Sequence, residues 1–143
     1  MMRTVIAVIV VLCLVGPVVS CDEEPVGPEP GESFTLSVGE RIPLDAVSVG
    51  LRFIEVTTDS RCPTQVRCMW AGDGAVLLEI APPLGDVTET TVHTNPESGP
   101  RSTALGRYEL VLLQLDPYPE TPGVIPPEDY RAELVLYERL EAE

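Results

Sequence analysis

The sequence predicts an all-β fold, a single antiparallel β-sandwich or a barrel-like relative of it, with about seven strands and one disulfide. Three observations carry that prediction. Apolar residues recur with a period of two from Ser33 onward, the runs are short and closed by glycine or proline, and no segment between them reads as a crossover helix joining parallel strands. The chain of 143 residues also holds 15 prolines, which remove backbone donors and break helices.

The elements follow in order. Phe34 to Val38 alternates cleanly, Gly39-Glu40 turns the chain, and R-I-P-L follows. Val47 to Val56 is a longer strand with Val49, Leu51 and Phe53 on one face. Ala75 to Ile80 is a more apolar strand ended by Pro82-Pro83, and Asp86 to Thr94 is threonine-rich. The segment E-S-G-P-R-S, with Ser98 and Ser102, reads as a turn-rich loop. Tyr108 to Leu115 is a strong strand ended by D-P-Y-P. Arg131 to Leu140 closes the chain, and Ala132, Leu134 and Leu136 suit a half-buried strand, with a helix as the alternative. There are no internal repeats.

The first twenty residues stand apart from this pattern. Arg3 is their only charge, an apolar run extends from Val5 to Val15, and Gly16-Pro17 breaks it. A charged start followed by a short apolar stretch is an export signal. The run falls short of the about 20 apolar residues that a membrane-spanning helix needs. V-V-S-C then places Cys21 directly after a small residue, which resembles the lipobox of bacterial lipoproteins. The resemblance implies that Cys21 is lipidated and becomes the first mature residue, with an ordinary signal peptide as the alternative. The expected organisation is a lipoprotein signal peptide over 1–20, a tether over 21–32 and the β-domain over 33–143. The tether, C-D-E-E-P-V-G-P-E-P-G-E, is acidic and rich in proline and glycine, and it lacks apolar surface to bury. Fully extended, it spans on the order of 35 Å. Asp22 resembles the retention signal that follows the lipidated cysteine in enteric bacteria. The expected location is outside the cell membrane, anchored in the lipid bilayer.

Charge excludes some partners. The formal net charge is −14, and removing the signal with Arg3 makes it −15; the chain has no lysine. Such a surface repels nucleic acid and anionic headgroups. It serves solubility, or else offers an acidic face to a cationic partner or divalent ions.

The cysteine count narrows as well. Cys13 leaves with the signal and Cys21 carries lipid, so Cys62 and Cys68 remain as a pair in an oxidising compartment, where a disulfide is expected. The link between the strands ending near Thr58 and starting at Ala75 is long and needs ordering. A Cys62–Cys68 bridge inside it is worth roughly 2–3 kcal/mol. Pro63 stiffens the ring, Gly72 and Gly74 permit the return to the sheet, and Trp70 is expected to bury its indole against the bridge or the sandwich end. Thiol redox chemistry is the weaker reading, because five residues separate the cysteines and no helix N-terminus lowers a thiol pKa. A metal site would need His93, carboxylates or Met69 beside Cys62 and Cys68.

The stretch D-S-R-C-P-T-Q-V-R-C-M-W-A-G, Asp59 to Gly72, resembles a pattern in small exported bacterial lipoproteins of uncharacterised function. They share a D-S-R-C-P…V-x-C-x-W-A-G core, a preceding alternating strand and a later leucine-rich strand running into P-Y-P. Here that last element is Leu110 to Pro119, and T-N-P at Thr94 to Pro96 is similar too. The resemblance covers most of the mature domain. It implies export, the disulfide and the β-fold, and adds no catalytic residue.

No catalytic constellation emerges elsewhere. His93 is the only histidine, and no G-x-S-x-G elbow accompanies it. An exposed, non-catalytic role is expected for it. The carboxylate pairs at Glu23-Glu24, Glu128-Asp129 and Glu141/Glu143 lack the apolar flanks that would raise a pKa. Asp59, Asp73 and Asp86 lie in loops without calcium-loop spacing. A-G-D-G-A lacks the context of a phosphate loop, and no cofactor is expected. D-P-Y-P-E-T-P-G-V-I-P-P-E-D-Y, Asp116 to Tyr130, is a long stiff loop with five prolines and two tyrosines. The reading the residues support is a non-enzymatic interaction module. It contacts an envelope protein or ligand through loops 59–73 and 116–130, with Trp70, Asp73, Tyr118 and Tyr130 as contact candidates. A protease-inhibitor-like plug is one form of this. The alternative is metal handling or thiol redox through Cys62, Cys68 and His93.

Overall fold

A computed structural model describes residues 26–140. The signal segment, Cys21 and the start of the tether lie outside them. Eight strands form two four-stranded antiparallel sheets. The strands are β1 (Ser33–Ser37), β2 (Arg41–Leu44), β3 (Val49–Asp59), β4 (Gly74–Ala81), β5 (Thr88–His93), β6 (Ser102–Leu105), β7 (Tyr108–Asp116) and β8 (Arg131–Glu138). One sheet has the order β2-β3-β4-β5 and the other β1-β8-β7-β6. The chain thus runs up and down around the sandwich, each strand beside its sequence neighbours except at the β1/β2 and β5/β6 seams, where the sheets part. Two short 3-10 turns, Asp45–Val47 and Pro127–Asp129, are the helical elements among the described residues.

The inward faces are those the period of two marks. Leu51 and Phe53 of β3, Val76 and Leu78 of β4, Leu110 and Leu112 of β7, and Ala132, Leu134 and Leu136 of β8 are buried between the sheets. The closing segment is a strand, paired with β7 from Tyr108↔Glu138 to Asp116↔Arg131. A bulge at Leu113 shifts the β7 register, which turns Leu113 outward and returns Leu115 to the core. The strand beyond the seven expected is β6. Ser102 lies in it rather than in a loop, because its backbone pairs with Val111 of β7.

The two ends of the sandwich differ. At one end the connections are short, 45–48, 82–87 and 106–107. At the other lie 60–73, 94–101 and 117–130. The chain enters at the short-turn end. There the Gly27 N–H donates to the Asp45 carboxylate at 2.8 Å, and the Gly31 N–H donates to the Leu136 carbonyl at 2.8 Å. Gly27 is buried, and a Cβ on it would lie 2.4 Å from the Pro43 carbonyl oxygen. The later part of the segment read as a free tether is therefore held against the domain. The eleven residues of β3 put roughly 30 Å between the point of entry and the long loops.

Candidate binding platform

The long-loop end is closed by an ion pair and a buried tyrosine rather than by the tryptophan. Side chains two apart on an extended chain share a face, and Asp59 and Arg61 use that spacing at the end of β3. Arg61 Nε donates to Asp59 Oδ1 at 2.8 Å and Nη2 to Asp59 Oδ2 at 2.7 Å, a bidentate pair. The Arg61 side chain is 3% exposed and that of Asp59 12%. Arg61 Nη1 also donates to the Leu115 carbonyl and Nη2 to the Pro117 carbonyl at 2.9 Å, which ties D-S-R to the D-P-Y-P segment and its cis Asp116–Pro117 bond. The guanidinium carbon lies 5.1 Å from the centre of the Tyr118 ring. From the far side, the Tyr130 hydroxyl donates to Asp59 Oδ2 at 2.9 Å. Burial pushes the Asp59 carboxyl up, but the hydrogen bonds from Arg61 and Tyr130 outweigh it and hold it below the usual range. Burial and the neighbouring carboxylate push the Tyr130 phenol up to about 12. Among the described residues no buried side-chain polar atom lacks a partner.

Asp73 anchors a second network. Its Oδ2 lies 2.6 Å from His93 Nδ1, and its Oδ1 accepts from the Asn95 N–H at 2.9 Å and the Thr94 hydroxyl at 3.2 Å. An ionised carboxylate only accepts, so His93 Nδ1 carries the proton of that bond. Asn95 Nδ2 reaches back to the Gly72 carbonyl at 3.0 Å, and the Ser60 N–H donates to the Asp73 carbonyl at 2.7 Å. W-A-G-D and H-T-N-P are thereby sewn together. Burial again pushes the carboxyl up, and the bonds from His93, Asn95 and Thr94 outweigh it and keep Asp73 below the usual range. The expectation of an exposed His93 is corrected: its side chain is 20% exposed and packs against Gly99, where a Cβ would fall 2.4 Å from Nε2. Gly72, at φ +69°, lies so close to Ser60 that a Cβ would stand 1.8 Å from its carbonyl oxygen.

Between these networks the two long loops join. Cys62 and Cys68 are disulfide-bonded with their Cα atoms 5.9 Å apart. Inside the ring, the Thr64 N–H donates to the Pro119 carbonyl and the Gln65 N–H to the Glu120 carbonyl, both at 3.0 Å. The Cys62 N–H closes the base of the loop on the Ala71 carbonyl at 3.1 Å. Trp70 is not buried. It is 79% exposed and Met69 beside it 85%, because Arg61 and Tyr130 occupy the end of the core that the indole was expected to fill. Tyr118 is 49% exposed and Val124 95%.

Of the four contact candidates, Trp70 and Tyr118 are accessible. Tyr130, 6% exposed, and Asp73, 8% exposed, are buried supports, so neither is a contact residue. Cys62 and Cys68 do not gather with His93, which is turned onto Asp73. No group of three or more His, Cys, Asp or Glu side chains among the described residues is arranged around a common metal position. A cavity of about 310 Å³ opens between Ala71, Asn95, Pro96, Arg101 and Tyr118, and one of about 420 Å³ between the end of β3 and the proline-rich loop.

The sequence reading missed the ion pair and its tyrosine. The spacing D-S-R was the available signal for the pair. Tyr130 lies 71 residues from Asp59, and nothing local marks it. No known protein family, curated protein or solved structure matches the chain.

Proposed function

We propose that this protein is a lipid-anchored envelope lipoprotein whose β-domain acts as a non-enzymatic interaction module. The observation that carries the reading is the joining of the two candidate contact loops. The bonds Thr64 to Pro119 and Gln65 to Glu120 make them one stiff platform, and Met69 and Trp70 stand exposed on it. Exposed large apolar side chains on an ordered base mark interaction sites, since ordering costs little on binding. The platform lies at the end opposite to the point where the chain enters the domain. That suits presentation away from a membrane to which Cys21 is anchored.

The test is in-cell crosslinking of the tagged, lipidated protein followed by mass spectrometry. The expected result is one dominant envelope partner that is lost with Trp70→Ala and kept with Leu84→Ala, which alters an equally exposed side chain at the short-turn end. No partner above background, or equal loss with both variants, overturns the reading.

A further inference from the structure

The cavity beside β3 has an unusual wall. Seven consecutive residues, Glu55 to Arg61, line it. A strand seen face-on contributes every second residue; one that contributes consecutive residues is presented edge-on. The pairing agrees. β2 covers β3 only from Val49 to Arg52, and Phe53 completes that side by bonding to Gly39 and Glu40. From Ile54 to Asp59, β3 pairs with β4 alone, and no backbone hydrogen bond among the described residues uses its other edge.

The facing wall explains why that edge stays open. It is built from Pro119, Pro122, Val124, Ile125 and Pro127 of the long loop. Prolines have no N–H, so the four from Pro119 to Pro127 interrupt any continuous ladder with β3. A free strand edge beside an apolar wall is the geometry by which an extended peptide adds a strand, with main-chain bonds on one side and side-chain contacts on the other.

Charge selects the occupant. The loop from Asp116 to Tyr130 carries four carboxylates and no basic residue, and Glu55 lines the cleft with no ion-pair partner among the described residues. Of the nearby cations, Arg61 is committed to Asp59, and Arg131 folds back onto the carbonyls of Glu128 and Tyr130. The whole chain carries −14. We infer that this cleft is a β-strand addition site for an extended, basic segment of a partner protein. The inference rests on the reading of the chain as an interaction module and names the chemistry of what it binds.

The test uses the full-length protein in detergent and three capped octapeptides. One alternates valine and lysine, one alternates valine and glutamate, and one is the lysine peptide N-methylated on every residue. Amide exchange is followed by mass spectrometry. The lysine peptide is expected to slow exchange within Ile54–Asp59 by about tenfold or more and to bind at least about tenfold more tightly than the glutamate peptide. Its binding should weaken in high salt, and Glu55→Gln should narrow the lysine preference. The N-methylated peptide should give no protection, since it cannot complete the ladder. Absence of protection with the lysine peptide, or equal binding by the glutamate or N-methylated peptide, overturns the inference; the bulges at Ile54 and Thr57 would then serve only to blunt the edge. Peptide protection without any Trp70-dependent partner would sink the platform reading alone. A Trp70-dependent partner without peptide protection would sink this inference alone.

Discussion

Arg61→Met is the substitution that tests the architecture of the long-loop end most directly. Methionine keeps much of the volume and removes the cation. What remains is an Asp59 carboxylate, 12% exposed, that keeps only the Tyr130 hydroxyl and the residue 61 backbone N–H as donors. The Leu115 and Pro117 carbonyls lose their donors as well. Breaking a buried pair by removing one partner costs about 3–5 kcal/mol, far more than an exposed pair. For a domain of this size that corresponds to a melting temperature lower by about 10–20 °C. Urea unfolding followed by circular dichroism measures it. Adding Asp59→Asn should recover at least about 1 kcal/mol, because the uncompensated charge is then gone. The pH dependence supplies a second check. The folded carboxyl of Asp59 lies below its ordinary value of 3.8, so its contribution is complete above 3.8 and is lost as pH falls through the folded value. The gap between wild type and Arg61→Met should therefore be wide at neutral pH and shrink in acid below 3.8. A loss smaller than about 1 kcal/mol at neutral pH, or a gap that does not change with pH, would refute the reasoning.

Three further outcomes follow. Gly72→Ala forces a side chain into a left-handed position and onto the Ser60 carbonyl, and should cost about 1–3 kcal/mol or prevent folding; an unchanged urea midpoint would count against the close approach. Trp70→Ala should shift stability by no more than about 0.5 kcal/mol, since the indole is 79% exposed, and a large loss in calorimetry would mean that the side chain is packed. Replacing both Cys62 and Cys68 by alanine should lower stability by about 2 kcal/mol in the chain-entropy view, and recovery of the native protein with free thiols would argue against a structural bridge.

The sequence disclosed the strands because their faces obey one rule. Leu51 with Phe53, and Leu134 with Leu136, alternate inward, and all four are at most 1% exposed. β6 escaped because R-S-T-A-L has too little alternation to read; it is a strand only by pairing with β7, and such long-range pairing leaves no local mark. For a related reason, Trp70 was expected at the place that Arg61 takes. General burial trends put the indole inside and the guanidinium outside. The trend reverses here because Arg61 finds a carboxylate, two carbonyls and an aromatic face, while the loop carrying Trp70 is held out by its own base. His93 is less exposed than expected because its partner, Asp73, belongs to another loop.

The two networks and the disulfide share one mechanical consequence. Asp59–Arg61 fixes the start of the first loop, Asp73 fixes its end, and the bridge with the Thr64 and Gln65 bonds fixes its middle against the second loop. Each immobilised side chain that is already ordered spares about 0.5–1.5 kcal/mol on association. Domains are stable by about 5–15 kcal/mol, so the double alanine variant, weaker by about 2, stays folded at room temperature. Its effect on partner capture would then report order in the platform rather than unfolding. Capture weakened about tenfold, with circular dichroism unchanged, would mean that the bridge serves binding by stiffening the base beneath Met69 and Trp70. Capture at the wild-type level would mean that the backbone bonds to Pro119 and Glu120 hold the platform by themselves, and that the bridge acts on stability alone.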